Sequence, residues 1–221
     1  MAPSVSLRLH RGGRFRRWLG ARFGGDEELG DRAWRRLLHA SGASALLYFA
    51  VPKDFFLVLS KETVLLLVLA FVLLLEVLRH TVGLELPTLR PYETQRIGSY
   101  VFYALALTGA ILLFPFPIAA AVVLGTSLVD PLAGELRAAP KFRRLYPGLP
   151  LVADWLLAFV GLGVLGGWPL ADSAGLALLA APVAIAAEWP KLSWIDDDLA
   201  MTFLPALALY AAGVVGLGLP A

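Results

Sequence analysis

The chain alternates long apolar runs with short polar breaks. The plainest run is "TVLLLVLAFVLLLEVL" (63–78), sixteen residues in which Glu76 is the one charge. Crossing roughly 30 Å of hydrocarbon at about 1.5 Å per helical residue takes a stretch of this kind. Such stretches fall at about 34–51, 62–78, 97–114, 117–129, 151–167, 171–187 and 199–219, the fourth being short and extendable through "DPLAGEL". The pattern predicts an all-α polytopic transmembrane helix bundle with about seven spans. Each proline in "FPFP" (114–117) interrupts a helix, so the third and fourth spans form a hairpin, and "GGWPLADS" (166–173) separates the fifth from the sixth in the same way.

Composition agrees: 58% of the residues are hydrophobic and 16% charged. A soluble core cannot hide that much apolar surface, and lipid is the expected solvent. The chain has no cysteine, which excludes disulfides, thiolate nucleophiles and cysteine metal sites. Residues 1–32 read as a basic cytoplasmic segment, with a short amphipathic helix around Arg14–Phe23 or a solvated tail as its two readings. Residues 33–221 form the transmembrane domain. With the N-terminus cytoplasmic, only Lys53 and Lys61 of the 19 lysines and arginines lie on the far side. The positive-inside rule therefore predicts N-terminus in and C-terminus out, in an inner (plasma) membrane.

That topology gathers acids on the basic, cytoplasmic face. "RPYETQRIGSY" (90–100), "GTSLVDPLAGEL" (125–136) and "AEWPKLSWIDDDL" (187–199) converge there from three helix ends. Carboxylates beside arginines and lysines suit phosphoryl transfer: the acids hold Mg²⁺ or take a proton, and the bases neutralise phosphate. Plainer readings stand beside this one. One of Asp196–Asp198 can be an N-cap. Glu93 and Arg96 can be an i,i+3 ion pair. Asp130 can cap a new helix with Pro131 at its first position. For His39, a lone histidine, a buried structural role outweighs chemistry. Trp168, Trp189 and Trp194 read as interfacial belts, and Gly125 and Gly134 as packing glycines. No P-loop, dinucleotide fingerprint, zinc spacing or nucleophile elbow occurs.

Five segments in order resemble the dolichol kinase/phytol kinase family of CTP-dependent membrane alcohol kinases: "RRLLHASG" (35–42), "EVLR" (76–79), "ETQRIGSYVFYALALTGAILLFP" (93–115), "GTSLVDPLAGELR" (125–137) and "EWPKLSWIDDDLAMTFLPAL" (188–207). The resemblance spans about residues 33 to 207. It implies phosphoryl transfer from CTP to a polyprenol, phytol-like alcohol or diacylglycerol, with Mg²⁺. It implies Asp130, Glu93 and Asp197 as catalytic residues, and Asp130, Glu188, Asp197 and Asp198 as metal ligands. Arg96, Gly134, Lys141, Arg143 and Arg144 fall to the nucleotide, and Arg36, His39 and Glu76 to the same face. The chain departs from the family in two places. "GELRAAPKFRRLYPGLP" (134–150) replaces a glycine- and lysine-rich loop, and Asp198 replaces an asparagine. The expected partners are the bilayer, the nucleotide and the lipid alcohol, with a homodimer as an option and no nucleic acid. A cytidylyltransferase forming a CDP-lipid, or a non-catalytic lipid-phosphate-binding protein, is the alternative.

Overall fold

The computed structural model describes residues 21–22, 27–52, 59–84, 86, 96–188 and 196–220. All regular structure among them is helical. Seven helices follow one another: α1 (Glu27–Ser41), α2 (Lys61–Val82), α3 (Ser99–Leu113), α4 (Phe116–Ala138), α5 (Gly148–Phe159), α6 (Leu170–Glu188) and α7 (Asp197–Leu209). Both α5 and α7 run on into π-helical turns, Val160–Leu165 and Tyr210–Gly216. With these extensions, α4, α5, α6 and α7 are long and apolar enough to cross a membrane; α3 is apolar but shorter.

Local chemistry explains the ends. Ser60 caps α2 by accepting from the Thr63 N–H at 3.1 Å, and Gly83 closes it in the left-handed conformation (φ 70°) that glycine adopts without strain. Phe114 and Pro115 alone separate α3 from α4, which gives the hairpin expected from "FPFP". Asp196 caps α7, accepting from the Asp198 N–H at 3.1 Å.

Three expectations change. Asp130 and Pro131 do not open a new helix, because α4 runs unbroken through both to Ala138. Pro131 removes one backbone donor, yet the packed helix tolerates the loss. The first apolar run is not one continuous helix: after α1 the chain tightens into a 3-10 stretch at Gly42–Leu46 and a single α turn at Leu47–Ala50. Trp168 is not in a lipid-facing belt. It is buried against Gly213, with its indole N–H donating to the Pro220 carbonyl at 3.3 Å. Trp189, Trp194 and the Arg14–Phe23 segment, apart from residues 21–22, lie outside the described residues.

The core forms around α4, whose neighbours are α1, α3, α5 and α7. Ile118, Ala121, Val122 and Val123 of α4 share one core cluster with Ala158 of α5, Leu162 just after it, Ala177 and Ala180 of α6, and Ala206 and Leu209 of α7. Small residues set the spacing: a Cβ on Gly161 would lie 2.4 Å from the Ala121 backbone nitrogen, so α4 and the end of α5 touch backbone to backbone. By contrast α2 packs chiefly on α3 and leaves Leu66, Leu67, Val68, Phe71 and Leu74 exposed.

Candidate functional site

Helices α2 to α7 alternate in direction, so the end of α4 and the starts of α5 and α7 come to one end of the bundle. His39, near the end of α1, reaches the same place. Its Nε2 lies 3.1 Å from the Thr126 carbonyl, 3.5 Å from Asp198 Oδ1 and 3.6 Å from Asp130 Oδ2. Its ring stacks on Tyr103 with centroids 4.0 Å apart, and the Tyr103 hydroxyl meets both the His39 carbonyl and Ser127 Oγ. One ligand atom from each of His39, Asp130 and Asp198 fits within a 4.8 Å set. Two carboxylate oxygens are the donors that Mg²⁺ or Mn²⁺ prefers. The donor set therefore fits a divalent cation.

Of the four expected metal ligands, Asp130 and Asp198 meet in this group, while Glu188 and Asp197 are not members of it. Glu188 is fully buried at the end of α6, where Arg137 pairs with it and the Tyr146 hydroxyl donates to it at 3.4 Å. Asp197 begins α7. Burial, and then the Asp197 charge beside it, pushes the Asp196 carboxyl up to about 6. His39, read first as a structural histidine, joins the two acids.

The remaining residues divide. Arg36 pairs with Glu135 of α4. Glu76 belongs to a different cluster: it takes Arg79 Nε at 2.8 Å and the Gly98 N–H at 3.0 Å, with the Tyr100 hydroxyl, and so ties the end of α2 to the start of α3. The Arg96 carbonyl accepts from Arg79 in that cluster. Lys141, Arg143 and Arg144 are exposed on the turn between α4 and α5. Gly134 has open space where a Cβ would stand, so packing does not require glycine there. Gly125 is different, since a Cβ there would lie 2.4 Å from Asp154 Oδ1. Glu93 lies outside the described residues.

Asp154 is a residue to which sequence reasoning gave no role. It sits in the second turn of α5 and is 4% exposed. The available signal was an acid followed by Trp155 within an apolar run, since ionisable groups at such depth are costly. Compared with protein-family models, curated proteins and solved structures, the chain matches none.

Proposed function

We propose that this chain is an integral-membrane lipid-alcohol kinase that transfers a phosphoryl group from CTP to a membrane alcohol, with its active face cytoplasmic. The observation that carries the proposal is the meeting of Asp130, Asp198 and His39 from three helices at the bundle end that also bears Arg137, Lys141, Arg143 and Arg144. Asp130 and Asp198 would hold the cation, which when bound neutralises phosphate oxygens and polarises the phosphorus. The arginines and Lys141 would share the remaining phosphate charge. His39 donates to the Thr126 carbonyl, and its ring, held there, stands beside both acids. The acceptor hydroxyl would come from the bilayer and the nucleotide from the aqueous side, so that positioning and charge neutralisation carry the catalysis.

The test is phosphate transfer from γ-labelled CTP to polyprenol, phytol or diacylglycerol by the reconstituted chain. Transfer should require a divalent cation and should fall at least about a hundredfold in Asp130→Asn, the scale of losing an essential acid or base. Mn²⁺ should raise the melting temperature of the wild type and not of the variant. Full transfer by Asp130→Asn sinks the assignment. Release of pyrophosphate instead of CDP would mark a cytidylyltransferase, and nucleotide binding without turnover a non-catalytic protein.

A further inference from the structure

Behind the His39 group, between α4, α5, α6 and α7, lies a small cavity with room for a single water-sized group. Asp154 lines it, and among the described residues its carboxyl has no hydrogen-bond or ion-pair partner. Thr126 lines it too. The Thr202 hydroxyl donates to the Asp198 carbonyl at 2.8 Å. In the Thr126–Thr202 pair, also at 2.8 Å, the proton must therefore come from Thr126. Thr126 is left with only lone pairs to offer. Met201 and Pro205 complete the polar inventory: Pro205 has no N–H, so the Met201 carbonyl lacks its helical partner. Thr126 thus offers only acceptors, the Asp154 carboxyl is the polar group here without a partner, and the rest of the wall is largely apolar, with Ala158, Ala180 and Ala184 leaving space by their size.

The position is as informative as the chemistry. Thr126 precedes Asp130 by four residues on α4, and Met201 follows Asp198 by three on α7, so the cavity lies about one helical turn, ~5.4 Å, deeper than the two acids on both helices. A buried polar group without a partner is costly, and an acid at this depth faces a ligand or a polar path.

We propose that Asp154, with Thr126, forms the subsite for the hydroxyl of the acceptor alcohol, a proposal that rests on the kinase reading for the identity of the ligand. The hydroxyl lies between the Asp154 carboxyl and the Thr126 oxygen. A donor is needed to satisfy Thr126, which has only lone pairs to offer, and an ether oxygen cannot supply one.

The experiment compares geranylgeraniol with its methyl ether, which has the same chain and no donor, binding to the purified full chain in detergent without nucleotide. Thermal stabilisation should show the alcohol binding at least about tenfold tighter than the ether, the scale of one hydrogen bond to a buried polar group. Asp154→Leu should bring that ratio to about one. Where Asp154→Leu does not fold, Gly125→Ala serves, since its Cβ would stand 2.4 Å from Asp154 Oδ1 and must displace the carboxyl, lowering the ratio. Equal stabilisation of the wild type by alcohol and ether overturns the proposal, as does a full ratio in either folded variant. Because no nucleotide is present, failure of phosphoryl transfer leaves this result intact, and failure here leaves the transfer assay to stand alone.

Discussion

His39 Nε2 donates to the Thr126 carbonyl and lies within 3.6 Å of Asp130 and Asp198, from a ring already stacked on Tyr103. His39→Phe keeps the stack and removes the donor. It should cost about 1–3 kcal/mol, the penalty for buried acceptors left unpaired, visible as a lower melting temperature; an unchanged one would mean that the oxygens are satisfied without the imidazole. The sequence makes part of such chemistry visible. Glu76 and Arg79 stand three apart, and their ion pair is legible from helical spacing alone. The second half of that cluster, the Gly98 N–H and the Tyr100 hydroxyl, is set by how α2 meets α3, which no local pattern encodes. His39 and Asp154 were obscured for the same reason. Asp154 is the lone ionisable residue of its helix and His39 the lone histidine of its own, and the meaning of each comes from Gly125 and Thr126 on another helix.

At the scale of elements, hydropathy located six of the seven helices to within a few residues, the fourth only with its extension through "DPLAGEL", because a length of apolar chain and its punctuating prolines are local properties. Asp130–Pro131 misled for an instructive reason. Proline preference for the first turn of a helix is a statistical tendency of isolated ends, whereas α4 is held on several sides by packing that offsets one lost hydrogen bond. The backbone contact at Gly161 has no such tolerance. Gly161→Leu must push α4 and α5 apart and should destabilise by roughly 1–3 kcal/mol or more, whereas Gly134→Ala, with open space around it, should leave stability unchanged. Thermal melts of the two variants side by side check both, and equal losses would contradict the packing described.

Over the whole molecule, the two ends of the bundle differ. One carries His39, Asp130, Glu188, Asp198 and the basic turn at 141–144. The other carries the Phe114–Pro115 turn, the Gly166–Pro169 turn and the apolar chain after Tyr210. Since the chain has no cysteine of its own, single substitutions report side directly. Lys141→Cys should react with an impermeant maleimide only from the cytoplasmic side and Asp172→Cys only from the other. Labelling of both from the same side would exclude the orientation proposed.

Thr126 has a consequence for how the molecule would respond to its ligands. Its carbonyl faces His39, its hydroxyl is tied to Thr202, and the same residue walls the Asp154 cavity. One residue is therefore the shared partition between the two compartments, and any shift of α4 that reshapes one reshapes the other. If a cation at the proposed site tightens alcohol binding by some factor, the alcohol tightens cation binding by the same factor.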